Sequence, residues 1–251
     1  LRIKNYIVAQ TLEEAYALNQ SPSSQILGGT GWLKMQNRTI TKAIDLSQLH
    51  LDEIKETEDS FEVGAMVTLR DLECHQGLQA LCGGAIANGV KGIVGVQFRN
   101  CATVGGSIYS RFGFSDVLTV LLALNTQVNL YKQGQVSLAD YATMSYDRDI
   151  VVSISIPKAS VVVAYETFRV QATDLPVLNV AVSKNPDGKM LVAVGARPQR
   201  AKVLAFDTPE QAMACGAMFT YGSNHRGKAA YRSHLADVLI KRAVTAVMEG
   251  K

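Results

Sequence analysis

Apolar and polar residues alternate, cluster and break so as to divide the chain into three stretches. In residues 1–55, positions 6–8 read as a short strand, and Thr11-Leu12-Glu13-Glu14 sets a hydroxyl before acids, as at a helix N-terminus. That helix is expected to run to about Asn19, where Ser21-Pro22-Ser23-Ser24 breaks it. Gln25-Ile26-Leu27 reads as a buried strand ending on Gly28-Gly29, residues 32–35 as a short helix, and 42–46 as another strand.

The second stretch, 56–158, is richer in strands. Residues 61–65 alternate as a half-buried strand, 69–74 start a helix, and 78–94, dominated by small residues and glycines, read as tightly packed helix and loop. The apolar run 117–124 is most simply a buried helix, followed by a strand over 126–131, a turn at Gly134, a strand over 136–138 and a helix over 138–143. Residues 150–156, mostly β-branched or hydroxylated and stopped by Pro157, form the clearest strand pattern. In the third stretch, 159–251, residues 161–168 and 189–194 read as strands, and 177–183 as a strand or a helix. Asn185-Pro186-Asp187-Gly188 is a turn. Over 229–248, Tyr231, Leu235, Val238, Leu239, Val244 and Val247 fall at helical spacing. The whole pattern is that of an α+β protein.

Composition narrows the function classes. With 47% hydrophobic and 19% charged residues the chain reads as an ordinary soluble globular protein, and a formal charge of +3 is too small and too evenly spread for a nucleic-acid or membrane-surface binder. No apolar run is long enough for a membrane helix, and the first residues show no signal-peptide pattern. Because the first residue is Leu1 rather than Met, a few preceding residues are expected. The four cysteines (Cys74, Cys82, Cys101, Cys215) form no C-x-x-C pair, so neither an iron–sulfur centre nor a structural zinc is expected from this chain, and Cys74-His75 is read as structural. Free thiols point to a reducing cytoplasm.

The chemistry concentrates in two glycine motifs, Ile26-Leu27-Gly28-Gly29-Thr30-Gly31 and Thr103-Val104-Gly105-Gly106-Ser107. Each sets an apolar residue, two glycines and a hydroxyl in a row. Glycines that take positive φ can turn successive N–H groups toward one anion, so two such nests predict a ligand with more than one phosphate, gripped from two sides. The plain alternative is a pair of tight turns with hydroxyl caps. Neither motif is a G-x-G-x-x-G or P-loop fingerprint.

Taken in order, Ile26 to Thr30, then Arg99-Asn100 through Thr103-Val104-Gly105-Gly106-Ser107, then Asp116 resemble the FAD-binding subunit of the xanthine dehydrogenase and carbon monoxide dehydrogenase family of molybdenum hydroxylases. The strand ending at Pro157, the Asp174-Leu175-Pro176 and Asn179 positions, and residues 225–232 extend the resemblance over nearly the whole chain. It implies a two-part PCMH-type FAD-binding domain, a small α/β unit over 1–55 and a mostly antiparallel sheet unit over 56–158. A C-terminal sheet-and-helix domain over 159–251 follows. Residue by residue, Ile26, Leu27, Gly28, Gly29, Thr30, Gly31 and Trp32 would wrap one face of the FAD pyrophosphate with backbone N–H donors. Thr103, Gly105, Gly106 and Ser107 would take the other face. Tyr109 and Ser110 would line the cofactor, and Asp116 would accept hydrogen bonds from a ribose or ribityl hydroxyl. As alternatives, Asp116 caps the following helix, a role open to Ser115 too, and Ile150 and Val151 either pack against a cofactor ring or are plain core.

Three positions depart from the family pattern: Gly31 stands where Asp is usual, Ser107 where Asn is usual, and Glu166 where relatives often carry a Lys near the flavin ring. The last would remove a charge that helps a reduced flavin. The resemblance further implies electrons arriving one at a time from a 2Fe–2S small subunit and leaving as hydride, commonly to NAD. A molybdopterin-binding large subunit would choose the substrate. The chain would be one member of that complex, with no metal site and no catalytic side chain of its own. A stand-alone flavin reductase on the same fold, or a non-catalytic module binding another phosphate ligand, are the other readings of the same residues.

Overall fold

Thr11, Thr68, Thr103, Ser115, Ser137 and Thr208 each accept a hydrogen bond from the backbone N–H three residues on, so one device starts six of the helices. Each such cap stabilises its helix by roughly 1 kcal/mol. The structure, a computed structural model, describes residues 1–158 and 161–250. The boundary expected after Lys158 falls at positions 159 and 160, outside the described residues.

Strand β1 (Arg2–Val8), helix α1 (Leu12–Asn19), β2 (Ser24–Leu27) and β3 (Thr39–Asp45) build a three-stranded parallel sheet in the order β1-β3-β2. A 3-10 turn over Leu33–Met35 lies between β2 and β3. Its core gathers Ala15, Ile44 and Leu46 with Ile150 from far along the chain.

Next come β4 (Ile54–Glu56) and β5 (Ser60–Gly64), then the short helices α2 (Leu69–Cys74), α3 (Gln76–Leu81), α4 (Ala85–Lys91), α5 (Val96–Arg99) and α6 (Val104–Ser110). Helix α7 (Asp116–Ala123), β6 (Gln127–Leu130), β7 (Gly134–Ser137), α8 (Leu138–Thr143) and β8 (Val151–Pro157) complete an antiparallel five-stranded sheet ordered β4-β5-β8-β6-β7. Gly134, at φ 73°, makes the β6–β7 hairpin turn.

The last sheet is antiparallel, with β9 (Val162–Phe168), β10 (Leu178–Lys184), β11 (Met190–Gly195) and β12 (Lys202–Phe206) in the order β12-β11-β10-β9. Thus 177–183, open to either reading in the sequence, is a strand. Helix α9 (Pro209–Met213) precedes the long α10 (Ala229–Met248). The sheet is buried on both faces. Val180, Val182, Val192 and Val194 meet Leu239, Ile240 and Val244 of α10 on one side. On the other, the small Ala181 and Ala193 join the core that holds α7. Side chains alternate along a strand, so Ala164 faces α10 while its neighbour Tyr165 packs toward α7. All eight residues of α7 are buried, which explains its continuous apolar run.

Candidate functional site

The two glycine motifs meet. A Cβ on Gly28 would stand 2.7 Å from the Thr103 hydroxyl, and one on Gly29 would overlap the Cys101 carbonyl. A Cβ on Gly105 would press on Ala65 at 2.7 Å, and one on Gly31 on the Phe98 ring at 2.5 Å. These glycines serve close approach. None of Gly28, Gly29, Gly105 and Gly106 has positive φ; within the first loop it is Thr30, at 54°, that adopts the left-handed conformation. The expectation of two left-handed diglycine nests is therefore corrected: the second diglycine lies in the first turn of α6.

Accounting for the backbone donors separates the motifs further. The N–H of Val104 donates to Val67 O at 2.9 Å and that of Gly105 to Ala65 O at 2.8 Å. The N–H of Gly106 donates to the Thr103 hydroxyl at 3.2 Å and that of Ser107 to Thr103 O at 3.1 Å. These four are spent on the fold. By contrast, the N–H groups of Gly28, Gly29, Thr30, Gly31 and Trp32 donate to no protein acceptor among the described residues. They border a cleft of about 510 Å³ whose lining also includes Arg38 and Asp174.

Around this loop the cleft is apolar with hydroxyls set into it. Trp32 packs on Phe114 with ring centroids 5.2 Å apart, and Phe112 stacks on Phe114 at 5.1 Å. Ile150 and Val151, both buried, form part of the wall where the cores of the first two sheets join. Ser107 and Ser110 donate to Thr103 O and Ser107 O, leaving their oxygens able to accept. The Tyr109 hydroxyl donates to Asp147 O at 2.9 Å, and burial, chiefly, raises its pKa.

Asp116, also in the cleft lining, is 4% exposed and takes three protein donors. One carboxylate oxygen takes the Arg169 guanidinium at 2.6 Å, and the other accepts from Asn179 Nδ2 at 2.9 Å and from the Tyr165 hydroxyl. The cap of α7 is Ser115, not Asp116. These three donors tie α7 to the last sheet through Asp116, which also stands in the lining of the cleft. Burial, first, and the adjacent Asp116 charge push the Tyr165 pKa far up, so that hydroxyl remains a donor.

Of the residues singled out in the sequence, Ile26 to Trp32, Thr103, Gly105, Gly106, Ser107, Tyr109, Ser110, Asp116, Ile150 and Val151 all line this one cleft. Glu166 does not. It sits on β9 opposite Val180, on the strand face that turns toward α10. The cation in this part of the cleft is Arg169, held by Asp116 and by Asp174 O. Sequence reasoning missed Arg169, Phe112, Phe114 and Leu175. For the two phenylalanines a signal existed in the alternation Phe112-Gly113-Phe114 just before the α7 cap. Among the described residues no three His, Cys, Asp or Glu side chains gather closely enough to hold a metal ion, and no helix is long and apolar enough to cross a membrane.

Residues 2–159 match the family described as the FAD binding domain in molybdopterin dehydrogenase. The chain belongs to this family. It is an FAD-binding subunit of the molybdenum hydroxylase type, and so a component of an oxidoreductase. Relatives of this FAD-binding protein include the uncharacterized protein YgfM of Escherichia coli K12, 26% identical over 95% of this chain and 94% of that one. Indole-3-acetaldehyde oxidase of Arabidopsis thaliana is 27% identical over 60% of this chain, which corresponds to 13% of that much longer protein. In fold, the FAD-binding chain is similar to carbon monoxide dehydrogenase from Hydrogenophaga pseudoflava lacking the Mo-pyranopterin moiety. The TM-score is 0.86 at 24% identity, covering 100% of this chain and 98% of that one. Quinoline 2-oxidoreductase from Pseudomonas putida 86 gives 0.85 at 18% identity over 100% and 98%. The α+β fold is that of these matched chains, without a closed barrel.

Proposed function

We propose that the 510 Å³ cleft holds FAD with its pyrophosphate on the N–H row of Gly28 to Trp32, and that the chain relays electrons within a larger complex. The observation that carries this reading is that row of five uncommitted donors, beside the hydroxyls of Thr103 and Ser107. Backbone amides held rigidly by close glycine packing suit a diphosphate because they need no reorganisation to bind it. Ile26, Leu27, Ile150 and Val151 give apolar wall for a ring of the cofactor, and Trp32 with Phe112 and Phe114 shields the loop from water. Arg169 supplies a positive charge in the same cleft, softened by Asp116.

When bound, FAD supplies the redox chemistry, taking electrons singly and releasing them in pairs. The protein contributes binding, orientation and electrostatics. The partners that fit are a 2Fe–2S small subunit delivering electrons, a molybdopterin-binding large subunit that selects the substrate, and NAD as the acceptor. The similarity in fold to carbon monoxide dehydrogenase and quinoline 2-oxidoreductase supports the kind of complex. Four unpaired thiols fit a reducing cytoplasm.

The test is stepwise. FAD-loaded protein mixed with NADH under anaerobic conditions is expected to bleach, as hydride transfer is reversible between acceptor and cofactor. Loaded protein that stays yellow with both NADH and NADPH would remove the nicotinamide acceptor from this proposal while leaving the FAD site standing.

A further inference from the structure

Three buried side-chain atoms without a hydrogen-bond partner are guanidinium nitrogens: Arg111 Nη2, Arg197 Nε and Arg232 Nε. Arg111 and Arg232 are each 1% exposed and Arg197 6%, and none of them pairs with a carboxylate among the described residues. A buried cation without a counter-charge costs several kcal/mol. Here the charges are met by neutral oxygens and, for Arg111, by the faces of Tyr141 and Tyr146 at 4.3 and 4.5 Å. Arg232 Nη1 donates to the carbonyls of Val177 and Ala196, and Arg197 Nη1 to Thr220 O at 2.8 Å. Arg111 and Arg200 even share one acceptor, Met144 O, at 3.0 and 2.7 Å.

One of these three cations, Arg232, lines a second cavity of about 320 Å³ together with Arg200 and Arg226, next to the first and sharing Phe114 and Leu175 with it. The acid nearest in the hydrogen-bond network, Asp174, is already paired with Arg226 at 2.8 Å. Burial first, and Arg226 second, pull the Arg232 pKa down, the mark of a cation that lacks an anion. Phe114 and Pro198 add apolar wall, and exposed Gln199 and Asn224 stand at the rim.

We propose that this second cavity binds a phosphate group through Arg200, Arg226 and Arg232, and that the phosphate is carried by the dinucleotide acceptor. Guanidinium forks match phosphate oxygens two at a time, and Arg232, whose Nη2 donates to Asn224 Oδ1 at 2.5 Å, keeps a buried Nε without a partner beside this cavity. The shared wall of Phe114 and Leu175 sets the site beside the cleft that Arg169 also lines, so a ligand anchored here reaches toward it. The dinucleotide half rests on the acceptor reading above; the phosphate site itself does not.

The test titrates the full chain, FAD-free and FAD-loaded, with inorganic phosphate and with ADP-ribose, against sodium chloride at matched ionic strength. It is repeated on Arg226→Gln and Arg226→Lys. The expected result is competition between phosphate and ADP-ribose for one site, with affinity falling at least about tenfold in Arg226→Gln, the loss of a charge-assisted pair, and partly restored in Arg226→Lys. Phosphate binding that weakens in Arg226→Gln but that ADP-ribose does not displace would uphold the anion site and overturn its dinucleotide source. Binding no stronger than with chloride, or equal in wild type and Arg226→Gln, would overturn the site. FAD content read on the same samples by absorbance keeps a failure of the cleft distinct from a failure of this cavity.

Discussion

Gly29 lies so close against Cys101 that a Cβ on it would stand 1.6 Å from the Cys101 carbonyl oxygen. No rotamer change relieves a clash with backbone. Gly29→Ala is therefore expected to push the 28–32 loop out of register and to weaken FAD at least about tenfold, near 1.4 kcal/mol, by equilibrium dialysis. Gly106→Ala would meet only the Thr103 hydroxyl, at 3.0 Å, and is expected to retain most affinity. Equal losses in the two variants would contradict the account of the first loop as the donor segment.

Asp116 and Arg169 form an ion pair whose side chains are only 4% and 9% exposed. Asp116→Asn leaves the Arg169 charge buried and is expected to lower unfolding stability by about 3–5 kcal/mol in urea titrations. Adding Arg169→Gln should recover part of that loss, because the two sites share one interaction. A single variant within about 0.5 kcal/mol of wild type would show that the pair does not tie α7 to the last sheet.

The thiols should sort by burial. Cys74 and Cys101 are exposed, whereas Cys82 and Cys215 are buried, and burial pushes the Cys215 thiol up to about 12 and the Cys82 thiol above its usual value. Native protein at about pH 8, near the ordinary thiol range, is expected to react with a disulfide reagent at the exposed pair and to release the other two only on unfolding. Rapid reaction of all four in native protein would argue against this packing.

Glu73 ties α2 to the end of α5 through Arg99 at 2.8 Å and also pairs with Arg70 of its own helix at 2.9 Å. Burial alone would raise its pKa, but the hydrogen bonds from Arg99 and Arg70 outweigh burial and lower it. A carboxylate with a depressed folded value stabilises fully above its unfolded pKa of about 4.3, and that contribution fades as pH falls through the folded value. Glu73→Gln is accordingly expected to be less stable than wild type at neutral pH, with the gap closing below about pH 4. A gap that does not change between these conditions would sever Glu73 from the acid response.

Local rules made much of the fold legible. The start of α1 follows from the Thr11 cap and α10 from helical spacing alone, while the Thr68 and Ser137 caps of α2 and α8 are seen in the structure. Helix α9 carries Thr208 with Pro209 at its first position, a cap signal that was present but overlooked beside the short, half-exposed β12. Helix α6 was hidden because its two glycines look like a turn. The structure gives the use of the first of them, because Ala65 leaves no room for a Cβ at Gly105. At the site, the positions matched by motif came together in one cleft, but partners did not follow from motif. Asp116 belongs to Arg169, Tyr165 and Asn179, three residues at least 49 positions away. Glu166 was misplaced because whether a strand residue faces one way or the other depends on register, and a single step reverses it.

The most direct measurement is the flavin content of the purified chain. The account predicts yellow protein absorbing at about 450 nm, with FAD released by acid, and a colourless Gly29→Ala variant. Colourless wild-type protein whose heat unfolding is not shifted by saturating FAD would contradict it.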